Sequence, residues 1–263
     1  MIQFSFNRFA KVAQWSLSND KKYHLKSFLQ TFVILLLVFL FFTIAEVKMN
    51  GNEAFYVACS ISVIASLLVT IVLGSSFMFY SMEGKHDMQT LLLLPASNFE
   101  KYLTRYASWL ILLPLHLVAI FGADLVQYII NVLLGHTNVA FVTIEFVKMM
   151  CDTWNKMPEN LRSELVSVLI LVIVWMHSLY ALGATFFRSR KFNGVLSLLV
   201  IILIGILIIW LTPEQSALQY GEKSSTMSFV IGNVIYIGWT LLNFWLSYRL
   251  FCRTQVIGKF VNL

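Results

Sequence analysis

His116 and Gln127 stand eleven residues apart in an apolar stretch. That is close to three helical turns, so they share a face, and Asp124 lies on a neighbouring stripe. An aspartate near the bilayer centre costs about 2.5–3.5 kcal/mol on insertion scales, so Asp124 must face protein or water. Two chemistries fit such a stripe: a proton relay through Asp124 and His116, or a polar lining along a translocation path. A plainer reading is also open, in which Asp124 lies near the outer surface or is satisfied by another helix. His177 stands alone in a later apolar run and reads as a hydrogen-bonded helix contact rather than a ligand. Asn233 and Asn243 read as interhelical hydrogen-bonding residues.

Other chemistry finds little support in the residues. The chain holds no G-x-x-x-x-G-K-[ST] loop to cradle phosphates, no H-E-x-x-H and no G-x-S-x-G. No His, Cys and acid cluster has metal-ligand spacing. Cys59, Cys151 and Cys252 are too scattered for a disulfide framework and read as inert small side chains. No nucleophile can be placed beside a base, so the expectation is a non-enzyme with no catalytic, cofactor or metal residue.

The elements that hold these residues are apolar helices. The chain has 263 residues, 59% hydrophobic and 12% charged, whereas soluble domains carry about a quarter charged residues. Six apolar runs, near 28–46, 55–80, 103–134, 165–187, 194–212 and 228–250, each approach the roughly 20 residues that cross a bilayer. Runs such as FVILLLVFLFF do not alternate as barrel strands do. The predicted fold is an all-α integral membrane protein with six transmembrane helices in one domain, 1–263. No cleavage pattern follows the first run, which is expected to be retained.

Charge orients the bundle. With the N-terminus inside, the inner segments hold fourteen of the 19 Lys and Arg and the outer segments five, so both termini are expected in the cytosol. The net charge of +6 then meets anionic lipid headgroups rather than nucleic acid. The leader, 1–27, predicts an amphipathic interfacial helix. Phe6, Phe9, Ala10, Ala13 and Leu17 lie on one side, with Asn7, Arg8, Lys11, Gln14 and Ser18 on the other. The outer loop 135–162 contains FVTIEFVKMMCDTW, which predicts a short helix resting on the outer headgroups with Trp154 as an anchor. Pro158 suits the first turn of the next helix. The loop from Pro213 to Met227 reads as polar and flexible. Gly183, Gly194 and Gly205 permit close helix approach.

A polar hinge, 81–105, joins the second and third spans as SMEGKHDMQTLLLLPASNFEKYLTR. A helix is predicted from Met82 to Leu94, where Pro95 stops it. Ser97 and Glu100 then form an S-x-x-E capping box that starts a new helix, and Pro114 is expected to kink it further on. The order Glu83, Gln89-Thr90-Leu91-Leu92, Pro95-Ala96-Ser97, Lys101 resembles the loop after the second span in permease subunits of type-2 ATP-binding-cassette (ABC) exporters. LLLLPASNFEKYLTR is especially similar to such permeases from the Bacteroides group. The chain departs from the family at Gln89, where Gly is common. It also departs in placing its long outer loop after the third span rather than before the last.

The resemblance implies a permease subunit of an ATP-driven exporter in the bacterial cytoplasmic membrane. It implies pairing with a second permease copy, and two cytosolic ABC ATPase subunits that carry the ATP and Mg. The coupling residues it assigns are Glu83, Thr90, Leu91, Leu92, Pro95, Ser97, Glu100 and Lys101, with His116, Asp124 and Gln127 as a candidate translocation path. The rival readings are a proton-coupled secondary transporter and a non-transporting membrane scaffold.

Overall fold

A computed structural model describes residues 3–48, 54–80, 85–136, 139–187, 192–211 and 226–253. Glu83, the link 188–191 and the loop residues 213–225 lie outside them. The described residues are helical, with no strand among them: α1 (Phe6–Lys48), α2 (Ala54–Leu73), α3 (Lys85–Leu93), α4 (Asn98–Leu110), α5 (Leu112–Leu133), α6 (Val142–Lys156), α7 (Glu159–Phe186), α8 (Asn193–Leu211) and α9 (Thr226–Cys252). Among the described residues five stretches are long and apolar enough to cross a membrane: Phe6–Ala45, Phe55–Phe77, Asn98–Leu133, Arg162–Phe186 and Val230–Cys252. The chain is thus an all-α, multi-pass membrane protein.

Burial supports the same conclusion. Along α8 the buried residues are Asn193 and Ser197, while Val195, Leu198, Leu199, Ile202, Leu203 and Ile206 are exposed. Water would penalise that arrangement at about 25 cal/mol per Å² of apolar surface. Lipid does not, and it favours small and polar residues where helices meet.

Two expectations change. The leader is not a separate helix: α1 runs unbroken for 43 residues, about 65 Å at 1.5 Å per residue. Nothing between Phe6 and Lys48 is Gly or Pro, so nothing interrupts the backbone. Its buried stripe is Val12, Ser16, Asp20 and His24; Asn7, Lys11, Gln14 and Ser18 of the predicted polar side are exposed, and so are Phe6, Ala10 and Leu17 of the apolar side. The second span loses α-helical geometry at Leu73 and tightens into a 3-10 turn over Gly74–Phe77. The Trp109 ring packs 3.0 Å from where a Cβ on Gly74 would sit. The kink expected from Pro114 falls at Ile111, where the long third run divides. Pro114 lacks an N–H and its ring clashes with the carbonyl four residues back, which is the end of α4.

The helices gather into two compact units. The first comprises Met1–Leu17, Val72–Trp109 and Ser167–Leu263; the second comprises Ser18–Ile71 and Leu110–Val166. In the first, Met78, Phe79, Leu91, Tyr102, Ala181, Ala184 and Phe251 form the apolar core. A polar seam runs beside it. The Ser247 hydroxyl accepts from Tyr102 Oη at 3.0 Å and Thr185 Oγ1 at 3.2 Å, and donates to the Ala181 carbonyl at 3.0 Å. Asn243 donates to Ser178 at 2.9 Å and so joins α9 to α7, as its type predicts. His177 is a helix contact: its Nε2 meets Tyr106 Oη at 2.8 Å, and its ring packs 4.5 Å from Trp109. In the second unit Leu35, Phe39, Cys59, Val63, Ile120, Ala123 and Val142 form the core.

Helices α7 and α8 approach closely at Gly183, where a Cβ would lie 1.8 Å from Ser197 Oγ. Gly194 has Ser76 Oγ at 3.0 Å from the same position, whereas Gly205 opens onto free space. Gly183→Ala is expected to destabilise the protein by about 1–3 kcal/mol through overpacking. Pairing it with Ser197→Gly is expected to restore most of the loss, read from denaturation midpoints in detergent. A double variant no more stable than the single one would show that this contact does not set the helix spacing.

Candidate functional site

In the first unit the elbow is built from the break between α3 and α4. Pro95 ends α3 at Leu93, and the Ala96 amide turns back to the Leu94 carbonyl at 2.8 Å. The predicted capping box forms. The Glu100 amide donates to Ser97 Oγ at 3.2 Å, and the Glu100 carboxylate accepts from the Ser97 amide at 2.8 Å. That carboxylate does more than cap. It also accepts from the Ser5 amide at 2.6 Å, Arg8 Nε at 2.8 Å and Arg8 Nη2 at 2.7 Å. Arg8 holds the leader from the other side as well, through the Gln3 carbonyl. One fully buried acid therefore starts α4 and ties the leader to it. The bidentate guanidinium contact adds directional as well as electrostatic strength.

The next residue does the converse. Lys101 Nζ donates to the Leu92 carbonyl at 2.6 Å, in the last turn of α3. An acid at one helix start and a base at the neighbouring helix end each match the local dipole. One turn on, the buried Arg105 guanidinium donates to the Met78 carbonyl through Nε at 2.9 Å and Nη2 at 2.5 Å, and to Ser16 Oγ through Nη1 at 2.9 Å. Glu100, Lys101, Thr104, Arg105 and Ser108 are all buried on one side of α4.

The assigned coupling residues therefore divide. Glu83 is outside the described residues. Leu91, Glu100 and Lys101 point inward, and Leu92 and Ser97 are half-buried. Thr90 and Pro95 are exposed. Leu93, which the motif passed over, is 82% exposed, and Phe99 beside the break is exposed as well, edge-on to Phe4 at 5.9 Å. Arg8 and Arg105 are not among the assigned coupling residues. The signal for Arg105 was its helical spacing from Lys101; Arg8 had no local signal.

In the second unit the three path residues are each engaged. His116 Nδ1 meets Thr70 Oγ1 at 3.0 Å and its Nε2 meets Ser66 Oγ at 3.1 Å, a contact from α5 to α2. Asp124 is buried and serves as a cap from outside the helix it caps. Its oxygens accept from the Val142 and Thr143 amides at 2.9 Å each and from Thr143 Oγ1 at 2.5 Å. Gln127 Nε2 donates to Asp124 at 3.0 Å, while its Oε1 accepts from Asn131 Nδ2 at 3.1 Å. Asn131 reaches on to Thr43 Oγ1 at 3.0 Å, and Tyr56 Oη receives the Ala140 amide at 2.9 Å. Thus His116 stands apart, and Asp124 and Gln127 belong to a network that fastens the start of α6 to α5.

No family model, no curated protein and no solved structure matches this chain.

Two outcomes are expected. Arg8→Ala and Glu100→Gln should each speed amide hydrogen exchange across the leader, and the double variant should add little, because both remove one joint. Additive effects would mean that the pair is incidental. Asp124→Asn keeps a similar shape but loses charge and acceptor capacity. It should lower stability by roughly 0.5–2 kcal/mol, the range for a lost cap, and hasten exchange at Val142 and Thr143. Unchanged stability with abolished transport would instead give Asp124 a chemical role.

Proposed function

We propose that this chain is the membrane-spanning permease subunit of an ATP-driven exporter, driven by a separate cytosolic ABC ATPase. The observation that carries this reading is the Glu100 joint, which makes the leader and the elbow one mechanical piece. A protein moved from outside the membrane needs a rigid part that a partner can hold, and here the charged side chains rigidify that part from within. Its outward face offers Thr90, Leu93, Pro95 and Phe99. Apolar side chains of this kind act as anchors in a partner's cleft. The lysine and arginine distribution supports a cytosolic leader and elbow.

In this reading α8, a 19-residue apolar helix, is the sixth span. Both termini are then cytosolic, the membrane is the bacterial cytoplasmic membrane, and two permease copies enclose the path. The inward-facing members of the family-like motif, Leu91, Glu100 and Lys101, hold the elbow's shape, while its exposed members meet the ATPase. The proton-coupled alternative gains nothing from Asp124, whose oxygens already accept four hydrogen bonds.

Leu93→Asp tests the assignment without disturbing the fold, because the side chain is largely exposed. With an ABC ATPase co-expressed from the neighbouring gene, the substitution is expected to weaken copurification and ATPase stimulation by about tenfold or more, the equivalent of about 1.4 kcal/mol. Full stimulation with both Leu93→Asp and Thr90→Arg in place would remove the elbow from the coupling path.

A further inference from the structure

α6 is amphipathic, and its apolar side is uncovered. Ile144, Val147, Met150, Cys151 and Trp154 fall within about a third of the circumference at 100° per residue, and all five are exposed. Glu145, Lys148, Asp152 and Lys156 lie away from that stripe, with Glu145 and Lys148 paired at 2.6 Å.

The chain on either side fixes where this helix sits. It has 15 residues, about 22 Å of rise against a hydrocarbon core about 30 Å thick, and it carries charge along its length. It does not cross. Its neighbours in sequence, Asn98–Leu133 and Arg162–Phe186, are both long and apolar enough to do so. The end of one span and the start of the next lie on the same side of a bilayer, so α6 is held at that surface. Leu133 and Leu134 before it and Leu165 after it are also exposed, which continues the apolar surface from the span ends.

Both ends of α6 are pinned by charged residues from outside it. Asp124 caps its first two amides. At the far end Arg162 donates to the Asn155 carbonyl at 3.2 Å and the Met157 carbonyl at 2.8 Å, and its guanidinium lies 5.5 Å from the Trp154 ring centre. Acid at the start and base at the end match the dipole, and the full burial of Val142 fixes the helix's roll.

We propose that α6 is a membrane-surface helix that sinks the stripe from Ile144 to Trp154 into the headgroup–acyl boundary of the bilayer, with Asp124 and Arg162 as positioning residues that set which face meets lipid. The two acids and two bases on its polar flank balance, so apolar area rather than anionic headgroups supplies the attraction. This reading rests on the multi-pass fold and is independent of what drives transport.

A single-cysteine spin-label scan of residues 144–156 tests it. The full chain, with Cys59 and Cys252 replaced by Ser and Cys151 replaced except where it is the labelled site, is placed in phosphatidylcholine nanodiscs with and without phosphatidylglycerol. Labels at 144, 147, 151 and 154 should favour collision with oxygen, and labels at 145, 148, 152 and 156 with aqueous nickel. The pattern should repeat about every 3.6 residues and be the same in both lipids. Asp124→Ala or, if that variant does not fold, Arg162→Ala should flatten it. Aqueous access all round would overturn the lipid assignment. So would protection of the stripe from both reagents, which would mark a protein surface such as a second copy. An undiminished period in a folded variant at both positions would overturn the positioning role.

Discussion

Hydrocarbon cannot accept or donate a hydrogen bond, and the interior of this protein is organised around that constraint. Among the described residues, buried polar and charged side chains outnumber buried apolar ones. In water the balance would run the other way, because apolar burial drives folding there. Here leucine, isoleucine and valine are as comfortable outside as inside. Serine, asparagine and the charged residues gain most by turning inward. The consequence is visible on single helices. Helix α8 exposes Leu198 and Leu199 and buries Asn193 and Ser197, and α4 buries Glu100, Lys101 and Arg105 along one side.

Once inside, each polar group needs partners, and those partners determine the architecture more than apolar packing does. Glu100 and Asp124 solve the problem in one way. Each is a carboxylate placed against free backbone amides at a helix start, where the amides and the aligned peptide dipoles both favour negative charge. In each case the carboxylate also collects a second element, the leader for Glu100 and α6 for Asp124. Arg105 does the same for carbonyls, with the Met78 oxygen held just after the 3-10 turn. A helix end is thus the natural place for a buried charge in this protein, and the connections between helices are rigid as a result.

This explains which features were legible in the sequence. Apolar run length marked the five long apolar stretches, and local chemistry marked the break between α3 and α4: Pro95, the Ser97–Glu100 box and Pro114 each act within four residues of themselves. The leader's end was placed at residue 27, although no breaker stands there and α1 runs on. Partnerships across long separations left no local trace: Arg8 meets Glu100 across 92 positions, and Asp124 meets Thr143 across 19. Asp124 was conspicuous because an acid in an apolar run is costly. Cost alone does not distinguish a transport residue from a capping one; only the location of the amides does.

The same logic bears on what is free to act. A charged side chain that completes a helix end cannot be withdrawn to bind cargo or carry a proton without undoing that end. In the elbow this separates two kinds of residue that stand close together in the sequence. Glu100 and Lys101 maintain a shape, and Leu93, with almost nothing holding it, is available for contact. In the second unit Asp124 maintains the attachment of α6, and the exposed stripe of that helix is available to its surroundings. The surfaces this arrangement leaves open are therefore apolar and outward. Its charges, the features that first draw attention in a sequence of this composition, are the fastenings behind them.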